Sequence, residues 1–302
     1  MATKNPPLSP LPDFAPLGTT TTGASALREI VVFIDGRADT AGILEFAATL
    51  AKEHEARLIS VFMQPDPEAT PAQMFARGTG KLDVIEDQQK KLDQIVAEYR
   101  AQFEDISRRH GTRSEWRSLP HLSTEVGVHA YYAELVVVAR PESAAQTAGP
   151  PGLAESLILS SGRPVILFPP HSKVSQVRRI LVAWNATRES VRAVADALPL
   201  LVKAEVVEVL IVGHEEHSSD QSKEPGADVA RHLAYHGAHV EVHRIAPDGQ
   251  DVGRLLLSRA AAFGADLLVM GAYGHSYATE WMFGGVTRTV FHEAALPVLM
   301  SR

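Results

Sequence analysis

The residues best suited to chemistry are glycines near the end of the sequence. Gly271 and Gly274 follow the apolar run 267–270, and Gly284 and Gly285 precede a segment that is typical of a helix. Glycine lets backbone N–H groups approach an anion closely, and a helix N-terminus carries about half a positive charge. The spacing Gly-x2-Gly-x9-Gly therefore predicts a phosphate site, although glycines also close ordinary turns.

The elements that must position these glycines occur twice along the chain. Apolar runs alternate with segments of helical periodicity from residue 28 to residue 168, and the same order returns from residue 178 to residue 301. This repeat predicts an internal duplication of a β/α unit. Continuous apolar strands between helices indicate parallel sheets covered on both faces. Such sheets bind ligands beyond the carboxyl ends of their strands, where Asn185, Val212 and Gly271 are expected.

Composition excludes several classes of function. The 302 residues carry a formal net charge of −7, which does not favour a nucleic-acid or anionic-membrane partner. The absence of cysteine excludes disulfides, thiolate chemistry and cysteine-based zinc sites, and is compatible with a cytoplasmic setting. No apolar stretch approaches the roughly 20 residues of a membrane helix. Residues 1–26, rich in proline, threonine and serine, are expected to be a disordered tail.

Three features of the sequence occur together: Ile180-Leu-Val with Asn185, the Gly271-x2-Gly274-x9-Gly284 loop, and Pro297-Val-Leu. Through them the sequence resembles the universal stress protein family in its tandem form. The resemblance implies an α/β fold of two adenine-nucleotide α-hydrolase-like (Rossmann-like) domains, at residues 27–170 and 177–302. Each would hold a five-stranded parallel sheet in the order 3-2-1-4-5 with helices on both faces. The domains would pair within the chain through their last strands, and a homodimer is possible.

The resemblance also implies a nucleotide site, since some members of the family bind ATP. The site would lie in the second domain only, with Mg²⁺ as a possible companion of the nucleotide. Residues bordering the adenine and ribose would be Ala183, Trp184, Asn185 and Val212. Residues approaching or wrapping the phosphates would be Met270, Gly271, Gly274, Gly284, Gly285, Val286 and Thr287. His275 lies beside them, either as a contact of phosphate or metal or as an ordinary loop histidine.

The second half departs from the family pattern at two positions. The pattern has serine or threonine after its third glycine, and Gly285 stands there, so one hydroxyl donor is missing. Thr287 could compensate in part. The aspartate expected at the end of the first strand is Asn185, which keeps an acceptor but loses the charge.

The first half departs further. Aligning the two copies places Ala139 at Gly271 and Glu142 at Gly274, although Asp35 survives. A carboxylate where a polyphosphate should lie is repulsive by about 1 kcal/mol in water at 4 Å and about 4 kcal/mol at an intermediate dielectric. The first half is therefore predicted not to bind ATP in the family's mode.

Histidines raise one alternative, a metal site. His214 and His217 stand three apart in a polar loop, and His232 and His236 stand four apart on a predicted helix. The set has no known signature spacing, so solvated side chains are the simpler interpretation.

Three hypotheses on function remain open. No P-loop motif is present, no Gly-x-Gly-x-x-Gly follows the first strand, and no interpretable catalytic constellation is found. The chain is therefore predicted to be no enzyme, apart from slow incidental ATP hydrolysis. The first hypothesis is a nucleotide-binding stress or signalling module that meets an unknown protein partner. The second is an interaction protein without nucleotide, and the third is an enzyme of the related α-hydrolase superfamily.

Overall fold

The computed structural model describes residues 27–36, 40–65, 79–120, 126–141, 152–213, 226–272 and 285–302. For residues 79–85 it describes the backbone only. We call residues 27–170 the first copy and residues 177–302 the second copy. The elements of the first copy are β1 (Glu29–Ile34), α1 (Thr40–Glu53), β2 (Arg57–Met63), α2 (Thr79–His110), β3 (Ser114–Leu119), a 3-10 helix (Val126–Ala130), β4 (Leu135–Ala139), α3 (Leu153–Ser160) and β5 (Val165–Phe168). The elements of the second copy are β6 (Arg179–Ala183), α4 (Arg188–Lys203), β7 (Val206–Val212), α5 (Ala227–Tyr235), β8 (Val240–Ile245), α6 (Val252–Phe263), β9 (Leu267–Gly271), α7 (Gly285–Glu293) and β10 (Val298–Ser301).

The described strands form one ten-stranded sheet in the order β3-β2-β1-β4-β5-β10-β9-β6-β7-β8. Strands within each copy pair in parallel, in the order 3-2-1-4-5 that the resemblance implied. The copies join where β5 pairs antiparallel with β10, with Ile166 opposite Leu299. The predicted pairing through the last strands is therefore present within the chain.

Helices cover both faces of this sheet. One core packs beneath α1, α2, α4 and α5, and the other beneath α3, α6, α7 and the 3-10 helix. The strands at the centre are buried on both sides because nearly every residue of β1, β4, β5 and β10 is apolar. At the outer edge β8 has no buried residue, and its polar side chains blunt the open edge.

The two copies share one contact, which we call the carboxylate clamp. In the first copy, Oε2 of Glu134 accepts hydrogen bonds from the backbone N–H groups of Arg28 and Glu29, at 3.0 and 2.8 Å. In the second, Oδ2 of Asp266 accepts from Arg178 and Arg179, at 2.9 and 2.8 Å. Each carboxylate thus fixes the entry of the first strand beside the fourth, which supports the predicted duplication.

The copies differ most in the helix before their third strand. Helix α2 has 32 residues, whereas α5, its counterpart, has 9. The first copy also has a short 3-10 helix over Val126–Ala130, where the second copy has the longer α6.

Side chains also join the copies beyond the strand pairing. The carbonyl of Glu53, at the end of α1, accepts a hydrogen bond from Nζ of Lys203, at the end of α4. Arg178 lies 3.7 Å from the carboxylate of Glu53. The neighbouring His54 is half-buried, and its burial, with a smaller contribution from Lys203, lowers its pKa from 6.5 to about 4. The junction therefore holds a neutral histidine beside a lysine.

One ion pair is buried inside the second copy. Glu208, in the middle of β7, is 2% exposed and faces α6, where Arg259 donates Nε–H to Oε1 at 2.7 Å and a second hydrogen bond to Oε2. The bidentate pair satisfies the buried carboxylate, while the Arg259 side chain stays 26% exposed. Removal of Arg259 would leave an uncompensated charge on the buried Glu208.

Arg259→Met should lower the free energy of unfolding by about 3–5 kcal/mol, because Glu208 then stays buried without a partner. The matched control is Arg254→Met on the same helix, whose ion pair with Glu293 is exposed and should be worth at most about 1 kcal/mol. Urea unfolding measures both. The double variant Arg259→Met/Glu208→Leu should recover most of the loss, and equal effects of the two single variants would contradict this account.

The junction histidine should make stability depend on pH. The unfolded chain protonates His54 near pH 6.5, whereas the folded chain keeps it neutral to about pH 4. The free energy of unfolding should therefore fall as the pH drops from 6.5 towards 4, by at most about 1.4 kcal/mol per pH unit. His54→Gln should flatten this part of the urea-unfolding profile, while His239→Gln, at an exposed position, should leave it unchanged. Parallel profiles for all three proteins would rule out this role.

Candidate functional site

The predicted site residues lie at one edge of the second copy. Ala183, Val212 and Gly271 are the last residues of β6, β7 and β9, and Gly285 is the first residue of α7. The parallel order brings these strand ends together because β6 lies between β7 and β9. Gly274, His275 and Gly284 lie outside the described residues, so their place in the loop stays a prediction.

The site is bordered from both faces of the sheet. Met270 is buried in the core beneath α6 and α7, and Ala183, Val212 and Val286 pack against the same core. Trp184 packs instead against the core beneath α4. The apolar residues predicted to border the adenine therefore approach the strand ends from two sides, with Trp184 alone on the α4 side.

Asn185 organises the turn that leads into α4. Its Oδ1 accepts hydrogen bonds from the backbone N–H of Thr187 at 3.3 Å and from the Thr187 hydroxyl at 2.9 Å. Thr187 in turn caps the helix by accepting from the backbone N–H of Ser190, and Ala186 between them has a φ of 57°. The acceptor oxygen that Asn185 keeps in place of a carboxylate is thus used within the turn.

Gly271 is explained by close packing. A Cβ at this position would lie 2.6 Å from the backbone carbon of Glu189 and 2.7 Å from the backbone nitrogen of Ser190. The end of β9 therefore touches the first turn of α4, and only glycine permits this approach. From the sequence, Gly271 could serve either a turn or a phosphate site. The structure adds a third explanation, which is close packing against α4.

The first turn of α7 is open to solvent. Gly285 and Arg288 are exposed, and a Cβ at Gly285 would meet nothing within 4 Å. Thr287 is buried at 6% exposure. The first turn of α7 therefore has an exposed N-terminal backbone and an exposed arginine, a combination that favours an anion.

The corresponding helix of the first copy carries the opposite charge. Counting 133 positions back from α7, Gly285 maps to Gly152, Thr287 to Ala154 and Arg288 to Glu155. Glu155 is 3% exposed, and its Oε2 lies 2.8 Å from where a Cβ of Gly152 would be. The carboxylate therefore folds back over the N-terminus of α3. Burial raises the pKa of Glu155, and among the described residues Oε2 has no hydrogen-bond partner.

Glu155 is the residue that reasoning from the sequence missed. The acid predicted to block the first copy was Glu142, which lies outside the described residues. The alignment that placed Ala154 opposite Thr287 would have reached Glu155 one residue later. It was overlooked because only the glycine and hydroxyl positions of the motif were compared.

No metal cluster appears among the residues that the structure describes. The rings of His232 and His236 lie 4.8 Å apart between centroids on α5, while His214 and His217 fall outside the described ranges. Within the same residues, no helix is both long and apolar enough to cross a membrane.

Comparison with known proteins places the second copy in a family. The family model described as universal stress protein family matches residues 176–302. Among solved structures, the chain resembles a universal stress protein from Archaeoglobus fulgidus DSM 4304, with a TM-score of 0.68, 15% identity, and 92% of this chain and 97% of that chain covered. It also resembles a functionally unknown protein from Pseudomonas aeruginosa PAO1, with a TM-score of 0.55, 15% identity, and coverage of 91% and 92%. No curated protein sequence matches the chain significantly.

The packing role of Gly271 gives a test that needs no ligand. Gly271→Ala should lower the free energy of unfolding by about 1–3 kcal/mol, because the new methyl group overlaps the first turn of α4. Gly285→Ala, with open space around its Cβ, is the matched control and should change stability by less than about 0.5 kcal/mol. Thermal or urea unfolding compares the two. A Gly271→Ala protein as stable as the parent would show that β9 and α4 are not packed this closely.

Proposed function

We propose that the second copy, whose residues 176–302 match the universal stress protein family model, binds a nucleotide, ATP, and that the first copy does not. The nucleotide would lie beyond the ends of β6, β7 and β9, with its phosphates at the N-terminus of α7. Binding would change how the protein meets a partner in a stress response. The chain would act as a binding module, with any hydrolysis slow and incidental.

The observation that carries this proposal is the reversal of charge between equivalent helix N-termini. Arg288 stands exposed in the first turn of α7, whereas Glu155 is folded over the start of α3. A polyphosphate at α7 would meet amide dipoles and a guanidinium of favourable sign. At α3 the polyphosphate would meet the carboxyl group of Glu155, charged or protonated, in the place that the phosphate oxygens would have to occupy. The buried side chain excludes it by volume as well as by charge.

Apolar residues at the strand ends support the base-binding part of the proposal. Ala183 and Val212 pack against the same core as the buried Met270. A flat apolar wall of this kind suits the face of an adenine, because nucleotide sites are mostly apolar with few polar groups. His275 and the glycines at 274 and 284 would complete the phosphate side.

A second candidate is an interaction protein without a nucleotide. Two observations favour it: the Asn185 oxygen is engaged in its own turn, and Gly271 is accounted for by packing alone. Neither residue then requires a ligand to explain it. The two candidates differ in whether purified protein carries a small molecule.

Mass spectrometry of small molecules released from the purified chain is the first test, and calorimetric titration with Mg²⁺ and ATP is the second. We expect saturation at one nucleotide per chain. Gly274→Glu, which copies the acid of the first copy, should weaken binding at least tenfold, or by about 1.4 kcal/mol.

Glu155→Gln is the matched control, since it changes the corresponding helix of the copy that is proposed to be empty. Its affinity for ATP should equal that of the parent. Saturation at two nucleotides per chain would contradict the assignment to one copy. No affinity at millimolar ATP, together with no released nucleotide, would favour the interaction protein.

A further inference from the structure

Four large apolar side chains are exposed together on the first copy. Val128 and Tyr131, in and just after the 3-10 helix, are 47% and 45% exposed, Tyr132 is 80% exposed, and Leu159 at the end of α3 is 39% exposed. Tyr131 and the neighbour of Leu159, Ser160, both lie 3.8 Å from the Cβ position of Gly127, so the two segments adjoin. We call these four residues the tyrosine patch. Contiguous exposed rings of this kind mark contact surfaces.

In the second copy, the ring at the position equivalent to Tyr131 is covered. Tyr131 corresponds to Phe263, 132 positions later, and Phe263 is only 9% exposed. The guanidinium of Arg179 lies 4.3 Å above the Phe263 ring and donates two hydrogen bonds to its carbonyl. In the first copy the counterpart of Arg179, 150 positions earlier, is Glu29. The carbonyl of Tyr131 accepts a hydrogen bond from Arg163 instead. The ring of Tyr131 has therefore lost its cover.

The second copy also shows which segment borders this place. Residues 172–176, which precede β6, form one wall of a cavity of about 670 Å³. Its other walls include Ala260 and Gly264, the counterparts of Val128 and Tyr132, and the end of α7. The counterparts of residues 172–176 are residues 22–26, which lie outside the described residues, and the internal repeat leads us to expect them along the tyrosine patch.

The start of the described chain supports the same placement. Leu27 is buried in the core as Val177 is in the second copy, and the next residue, Arg28, donates its backbone N–H to Glu134 at 3.0 Å. Glu134 is two residues from Tyr132, so about 7 Å of chain at most separates their Cα atoms. The described part of the chain thus begins beside the patch.

The sequence of this segment has the chemistry that tyrosine rings bind. Residues 6–17 read PPLSPLPDFAPL, with five prolines, three leucines, one phenylalanine and a single charge. Proline-rich segments favour the extended polyproline II form, which docks on exposed aromatic rings at low cost in entropy. We propose that residues 6–17 dock on the tyrosine patch of their own chain. A tether of about ten residues keeps the local concentration near the millimolar range, so a weak contact suffices.

The test uses the full chain and its lack of native cysteine. Ser9→Cys, labelled with bimane, reports contact with tyrosine because a tyrosine ring quenches bimane at contact distance. We expect quenched fluorescence in the labelled parent. The quenching should be lost in Tyr131→Ala/Tyr132→Ala, with circular dichroism confirming that the fold is kept.

Tyr235→Ala is the matched control, because Tyr235 is an equally exposed tyrosine on α5 of the second copy. Its bimane signal should equal that of the labelled parent. Unchanged fluorescence in the double variant would overturn the proposal. Quenching that disappears on dilution, or on mixing with excess unlabelled protein, would assign the contact to a second copy of the chain and would also overturn it.

Discussion

The antiparallel pairing of β5 with β10 is the constraint on which the rest of the molecule depends. β5 is apolar throughout, β10 is apolar except for Ser301, and both are buried, so neither could stand at an open edge in water without exposing apolar surface and unpaired backbone groups. Pairing them within one chain removes both problems and merges two five-stranded sheets into one. The only outer edges among the described strands are then β3 and β8, where the sequence is more polar.

A merged sheet lets the two copies diverge without loss of the shared framework. The carboxylate clamps of Glu134 and Asp266 are kept, because they hold the first strand against the fourth in each copy. The residues above the strand ends are under no such constraint. There α7 has Arg288 and α3 has Glu155, so one copy presents an open helix end and the other fills its own. The same freedom exposed Tyr131 where Phe263 is covered.

The strands were the most predictable part of the molecule. The apolar runs predicted the alternation of strands and helices because burial on both faces demands continuous apolar residues. Val212 and Gly271 end their strands, and Asn185 lies two residues after the end of β6. Glu155 was missed, since a glutamate at the third position of a helix is common, and only its burial sets it apart.

The sequence by itself determined the alternation of strands and helices, the duplication and the place of the glycine loop. These follow from periodicity and spacing, which are local properties of the chain. Only the tertiary structure decided that Gly271 is required by the backbone of α4, that Asn185 uses its oxygen in a turn and that Glu155 lies over α3. The first fact depends on how segments far apart in sequence pack together, and the other two depend on side-chain conformations, which a sequence pattern does not give.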